Sequence, residues 1–570
     1  MNKILLILTA WLTVSTASAD VTHLNLPEPY GGTDVMLWYM ESPTAALGTE
    51  EHLSSEAQFD VFISDEKNIA VFKTFRQFSS SDVIVPEEVT VLGKKYPVVG
   101  IWSDKLFSWG TGANVTSVKL PESLEFLGDE WEMFNAPQIT SLTIPGKVTY
   151  VYDNIFRPCT SLKELILADG DTTIEFDVDR WWRKPFDLCP LEKVYIGRNT
   201  YCKPHIFNEN ESSTIKEATI SAKVTEMPNE LFHYIFTLEK LTLEEGIPYI
   251  SDKAFMYCNA LKSVKIPNSV KKIGSQAFEM MGSSMTTLDL GTGVEEIGWR
   301  AFQGCAITKL TLPASLHTMD FYAFRFCNAI TSVTIVDSPQ KLVIDGSGES
   351  QFRGSFYSLE DFTVYQGRNI EATSPPFWEN DGLKAVELGP EVTSIDEQYF
   401  SHCGSLSNVT LSKNLTTIPA STFKLCSSLK NIDVPDAVTT IGSEAFRQSG
   451  LRKISLGSGL QSIDWGTFLN CSDLNTITCW STVPPNCLDT NVFEKYHYSQ
   501  ASLFVPDGCI DAYMAADVWK EFYHIGYETS IANITVPQNA VVYDLQGRRI
   551  HKDNLSRGLY ILNGKKVLVK

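Results

Sequence analysis

A single aromatic residue returns along this chain at almost constant spacing. Aligned segments place phenylalanine at 107, 134, 156, 186, 207, 232, 255, 278, 302, 324, 352, 377, 400, 423, 446, 468 and 493. Most steps are 21–25 residues, and the exceptions are 27, 30 and 28. Its context repeats as well: Lys-Ala-Phe ends at 255, Gln-Ala-Phe at 278, Arg-Ala-Phe at 302 and Glu-Ala-Phe at 446. A period of this size restricts the chain to stacked supersecondary units, because one unit cannot bury its own apolar face.

Within the unit, an alternating segment follows nine or ten residues after each Phe, as in SVKIP (263–267), KLTLP (309–313) and NIDVP (431–435). Period two marks a strand with one buried face, here Val264 and Ile266, and the following proline or glycine ends it. A second apolar pair comes next, Val270 and Ile273 or Val294 and Ile297, often before a glycine such as Gly274 or Gly442. That glycine allows positive φ or a close backbone approach at a corner. The expected fold is a β-rich solenoid of about seventeen rungs with its strands in a parallel sheet. At ~4.8 Å per strand the array is roughly 80 Å long.

The consensus L-x-x-V-x-I-P-x-x-V-x-x-I-G-x-x-A-F-x-x-C closely resembles the BspA-like leucine-rich repeat family over about 82–510. Ile395-Asp396 and Ile463-Asp464 depart from its Ile-Gly, and 168–186 and 336–352 carry extra residues expected to form longer loops. The resemblance implies an exported bacterial surface protein, with adhesion to host or neighbouring-cell proteins as the proposed role.

The flanks read differently. Lys3, the apolar run ILLILTAWLTV and Ala17-Ser18-Ala19 have the order of a secretory leader, with cleavage expected near Ala19. No cysteine stands at that point and no later apolar run is long enough to span a bilayer as a helix. Secretion or outer-membrane-associated display is therefore expected. Residues 20–81 are assigned to an N-terminal β cap region, since 58–101 reads as antiparallel strands leading into the first rung. At the other end, 511–530 is expected to cap the array as a helix presenting Tyr513, Ala516, Trp519 and Phe522 on one face. Residues 531–570 form a small β module, with Asn563-Gly564 as a hairpin turn. Its wording, YDLQGRRI…GLYILNGKKVLVK, resembles the sorting domains of the type IX secretion pathway.

Twelve cysteines in an exported chain first suggest disulfides. Eight of them (Cys159, Cys189, Cys258, Cys305, Cys327, Cys403, Cys426 and Cys471) lie three residues after a ladder Phe, so stacking places them in a buried thiol column. A bridge between neighbours such as Cys305 and Cys327 stays open, and Cys479 with Cys487 is the better candidate. Cys202 and Cys509 also lie outside the column.

Catalytic motifs are missing: there is no H-E-x-x-H, G-x-S-x-G, Walker A or G-x-G-x-x-G, so no enzyme and no cofactor are expected. The acidic run DGDTTIEFDVD (169–179) lacks calcium-loop spacing and reads as a solvated loop. With 47 basic against 68 acidic residues and no basic stripe, nucleic acid is not expected as a partner. Binding surfaces remain. The outward strand centres run Thr143, Ile166, Tyr195, Thr219, Thr242, Lys265 and onward through Thr334, Thr363 and Glu387, a broad and shallow surface suited to a protein ligand. Trp181-Trp182-Arg183 in the longest insertion either anchor their own loop or stand exposed as a platform. In the second case Trp181, Trp182 and Tyr195 suggest a glycan ligand. A passive spacer is the third reading, and the chain is expected to be a monomer.

Overall fold

The computed structural model describes residues 15–24, 26–27, 30, 33–43, 56–78, 81–102, 105–107, 112–128, 133–152, 155–177, 185–186, 188–202, 206–207, 213–320, 322–345, 359–527, 542–543, 549–550, 558–562 and 565–569. The array is a parallel solenoid wound about a single continuous core. Each rung lays down its alternating strand first. Ser141–Ile144, Glu164–Leu167, Lys193–Ile196, Glu217–Ile220 and Lys240–Leu243 pair in parallel, and the same ladder resumes through to His524–Tyr527.

The second apolar pair forms a sheet of its own, which the strand pattern did not reveal. Tyr249–Ile250, Lys272–Ile273, Glu296–Ile297 and Thr318–Asp320 make a second parallel ladder on another side of the coil. Two residues per rung are too few to show alternation, so only pairing with neighbours identifies them as strands. Gly274 sits beside this ladder because a Cβ there would lie 2.7 Å from the Asp252 backbone nitrogen.

The third side is the phenylalanine turn. Left-handed residues bracket many of the ladder Phe two positions before and after, as with Lys253 and Tyr257, Gln276 and Met280, or Glu444 and Gln448. This bend points the Phe backbone N–H along the array: Phe255 donates to Ala277 O at 2.9 Å, Phe278 to Ala301 O at 2.7 Å and Phe302 to Ala323 O at 2.8 Å. The buried rings stack at the rung spacing, with centroids 5.2–5.3 Å apart and planes within 3–12° from Phe255 to Phe324. The cysteine column closes the turn. Each thiol donates to the carbonyl of the preceding ladder Phe, Cys258 to Phe232 O at 3.2 Å and Cys403 to Phe377 O at 3.0 Å. Cysteine recurs there because its weak donor satisfies a buried carbonyl at little cost in volume.

All twelve cysteines are free thiols, Cys479 and Cys487 included. These two lie in different ladders, Cys479 in Thr476–Cys479 and Cys487 in Asn486–Cys487, and Tyr513 donates to Cys479 Sγ at 3.1 Å. Burial raises the Cys403 thiol to about 12 and that of Cys471 to about 11, so both stay protonated and unreactive.

Two corners break the pattern, and the same five-residue frame repairs both. Tyr195-Ile196-Gly197-Arg198-Asn199 and Tyr365-Gln366-Gly367-Arg368-Asn369 each follow a rung with an enlarged corner. Arg198 is fully buried and reaches back two rungs, donating to Pro145 O at 2.8 Å and to Gly146 O. Arg368 does the same to Pro313 O at 2.7 Å and Ala314 O at 3.0 Å. Tyr195 and Tyr365 donate to Asp169 at 2.8 Å and Asp337 at 2.7 Å, tying down the enlarged corners. Gly197 is required because a Cβ would lie 2.4 Å from Leu167 O.

At the N-terminal end, Ser15–Leu24, Thr33–Pro43, Glu56–Ser64 and Ile69–Gln77 form an antiparallel meander. Ile69–Gln77 then pairs in parallel with Lys94–Ile101, so the meander runs directly into the second ladder of the array. At the C-terminal end the expected helix is broken. Ile510–Ala515 is helical, Val518 turns the chain with φ 69, and Trp519–Glu521 is a single tighter turn. Tyr513, Trp519 and Phe522 are nevertheless all buried, and the Trp519 and Phe522 rings meet Phe493 at 5.7 and 5.2 Å. A short helix at Lys495–Gln500, not expected from the pattern, completes this closure. Beyond it Val542–Tyr543, Arg549–Ile550, Gly558–Leu562 and Lys565–Val569 form a four-stranded antiparallel sheet, while Asn563 and Gly564 lie outside the described residues.

Candidate functional site

A uniform surface runs along the outward face of the first ladder. Strand alternation sends Leu142, Leu165, Val194 and Ala218 into the core and turns the residues between them outward. Thr143, Ile166, Tyr195, Thr219 and Thr242 stand directly opposite one another across five neighbouring strands. Lys265 is exposed one rung further on, where the pairing is interrupted and the strand Ser263–Lys265 joins a separate two-stranded ladder. Trp181, Trp182 and Arg183 lie outside the described residues.

One position of the row is corrected. Thr334 faces Tyr365, and Tyr365 faces Glu387, so the outward row passes through Tyr365 and not Thr363. The strand is seven residues long, Phe362–Arg368, and its partner registers two residues later than the alternation suggested. Both tyrosines of the row, Tyr195 and Tyr365, thus belong to the two Arg-containing frames, with their hydroxyls fixed on aspartates.

Charge beside the row is paired. Glu192 contacts Lys163 at 2.9 Å and Lys216 at 3.9 Å, and Lys240 lies 3.8 Å from Glu217. The Lys163 ammonium holds the Glu192 carboxyl below its ordinary range. Such exposed pairs contribute little stability. They leave a face of alternating sign, which offers specificity without a strong field of one sign. Among the described residues no group of three or more His, Cys, Asp or Glu could hold a metal ion. Nor does any helix among them have the length and apolarity to cross a membrane.

The turn side carries features that strand alternation could not predict. Leu188 and Phe326 occupy left-handed positions two residues after a ladder Phe and are exposed. Trp299 and Trp465 are also exposed, each three residues before one. Arg300 lies over the Trp299 ring at 4.1 Å, and Arg325 over Phe326 at 4.6 Å. The recurrent positions flanking each Phe were the signal that could have found them.

The match to a repeat-family model agrees with this geometry. The model of the BspA type leucine rich repeat region matches residues 108–213, 133–262, 183–294, 248–374 and 371–499. No curated protein matches the chain. A leucine-rich repeat protein from Bacteroides ovatus ATCC 8483 is 22% identical, over 75% of this chain and 94% of its own, with a TM-score of 0.36. A leucine rich cell surface protein from Faecalibacterium prausnitzii A2-165 is 21% identical, over 76% and 94%, with a TM-score of 0.22. The pneumococcal vaccine antigen PcpA is 15% identical, over 85% and 100%, with a TM-score of 0.29. With matches running from 108 to 499, most of its length, the chain belongs to the BspA-type leucine-rich repeat family.

Proposed function

We propose that this is an exported cell-surface protein that binds other proteins, on host or neighbouring cells, through the outward face of its first ladder. The observation that carries the reading is the in-register row Thr143, Ile166, Tyr195, Thr219 and Thr242, a surface five strands wide. A surface of this kind makes many modest contacts with a large partner and does not enclose a small molecule. Export fits the leader-like N-terminus. Removing residues 1–19 would leave Val21–Leu24 paired with Thr33–Met36, so the meander keeps its outer strand. Residues 531–570 serve in this reading as the sorting or anchoring module.

The test is a binding screen of residues 20–534 against matrix and cell-surface proteins, run beside a glycan array. A protein hit lost in a Thr219→Glu/Thr242→Glu variant supports the reading. A glycan hit abolished by Trp182→Ala, with no protein hit, replaces it by saccharide capture. Silence on both arrays favours a spacer. Deletion of 535–570 should abolish surface display, and unchanged display would remove the sorting role.

A further inference from the structure

The short helix that closes the C-terminal end of the array starts on a histidine where such starts use a carboxylate or an amide. In a capping box the third helical residue turns its side chain back and accepts the backbone N–H of the N-cap residue. Glu or Gln fills that position because its oxygen accepts without titrating near neutrality. Helix Lys495–Gln500 has Glu494 as its N-cap, and the accepting residue is His497. Glu494 N–H donates to His497 Nδ1 at 3.1 Å. The other ring nitrogen, Nε2, carries the proton and donates to Cys471 O at 2.9 Å. Only a neutral imidazole accepts at one nitrogen while it donates at the other, and this one is fully buried.

The ring sits inside the closure. It packs edge-on against Phe493 at 6.2 Å, and Phe493 in turn meets Trp519 and Phe522. Tyr498, next on the helix, meets Phe522 at 5.2 Å, and its carbonyl accepts from Tyr523 N at 2.9 Å, just before the last strand of the first ladder. A helix of six residues has little stability of its own, so this packing and the cap hold it. A proton on Nδ1 would set one N–H against another at the Glu494 amide, undo the cap and leave a cation in an apolar site.

The segments that touch the ring carry Glu494, Lys495, Tyr496 and Tyr498 on its own side and Cys471 on the turn beneath; Lys495 is exposed. Burial holds the imidazole below its ordinary value of 6.5, outweighing the Cys471 carbonyl and the Glu494 carboxylate, which favour the cation. Burial pushes the Cys471 thiol up to about 11 and the Tyr498 hydroxyl up to about 12, and raises that of Tyr496, so all three stay neutral in acid. Released from the closure, the imidazole titrates near its ordinary value, so the open form binds the extra proton. The closure is therefore fully held above about pH 6.5 and loosens as pH falls below it, by up to about ten-fold per pH unit for one proton. We propose that the C-terminal closure is an acid-sensitive latch, shut while His497 accepts the Glu494 N–H and opened by protonation of His497 Nδ1, which releases Lys495–Gln500 and uncovers Phe493, Trp519 and Phe522.

The latch lies at the C-terminal end of the array, apart from the row around Thr219, so its failure leaves the binding reading untouched. The experiment is hydrogen exchange by mass spectrometry on the full chain from about pH 7.5 to about pH 5.5, with rates corrected for intrinsic exchange. The expected result is a flat opening ratio for 493–527 above about pH 6.5 and a rise of several-fold to about ten-fold by about pH 5.5. Residues 249–327 should stay protected throughout. His497→Gln keeps an oxygen for the Glu494 N–H and an amide donor for Cys471 O without a titrating group, so its closure should stay shut in acid. Histidine-selective nitrogen NMR on the wild type reads the ring directly. It should give the neutral Nε2–H form near neutrality, converting to imidazolium together with the opening. If the glutamine variant is open at every pH, this ring titration decides. No rise in exchange at 493–527, the same rise in His497→Gln, or an imidazolium inside a closed cap overturns the proposal.

Discussion

Residues 249–327 and residues 144–226 share the phenylalanine stack and the thiol column but hold their corners by different means. In the first stretch phenylalanine stacks on phenylalanine at every rung, and on three of the four a thiol meets the Phe carbonyl of the rung before, Met281 taking the thiol's place after Phe278. In the second the enlarged corner at 168–173 interrupts that symmetry, and the carbonyls of Gly146 and of Pro145, which also accepts from Val148 N at 3.2 Å, take hydrogen bonds from one long side chain. Arg198 supplies both hydrogen bonds from two rungs away. Its planar fork suits paired carbonyls, but burial without an anion depresses the guanidinium to about 10, and its Nε finds no partner. Asn199 then restores register, accepting from the backbone of Thr225 at 2.8 Å and Glu226 at 2.9 Å. Repetition needs only weak, small groups. A broken repeat needs one long, charged side chain.

The comparison can be broken most forcefully at the centre of the regular stretch. Phe278→Ala should destabilise the array by about 3–5 kcal/mol, since a fully buried ring is removed from a continuous stack. Denaturant unfolding would measure it, and hydrogen exchange should rise in the rungs on both sides. Arg198→Met should cost about 2 kcal/mol, because it removes two hydrogen bonds but leaves Pro145 O bonded to Val148 N and also takes away a poorly solvated cation. Its exchange signature should be confined to residues near 145–200, and Arg198→Lys should not rescue it. An effect spread over the whole array would erase the distinction between the two regions.

Smaller changes refine the regular side. Cys258→Val removes the donor to Phe232 and should cost about 1 kcal/mol, whereas Cys258→Ser should be milder, as Ser449 already fills an equivalent position. Differential scanning calorimetry would separate the two. Gln448→Gly should stabilise slightly, by about 0.5–1 kcal/mol, because Gln448 is exposed and left-handed at φ 55. A lower melting temperature would mean that the backbone there is not strained.

Much of the array is legible from one rung. In LKSVKIPNSVKKIGSQAF the buried set Val264, Ile266, Val270, Ile273 and Phe278 follows from periodicity alone, and each is almost fully inaccessible. The cysteine column is legible for the same reason, since equal spacing in sequence becomes a column in space. The candidate row was legible from Thr143 to Thr242 but failed at Thr363, where the longer strand shifts register. The broken helix at Val518 was hidden because four aromatic and apolar residues at helical spacing can also reach one core from a turn.

The sequence by itself determined what is buried and how often, because burial is local: a side chain's polarity and its place in the period decide which way it points. Only the tertiary structure decided what each buried polar group bonds to. Those bonds join residues some twenty to fifty positions apart, as from Cys258 to Phe232 or from Arg198 to Pro145. Their geometry depends on how far one rung is displaced on the next, a quantity carried by the stacked coil and by no single repeat.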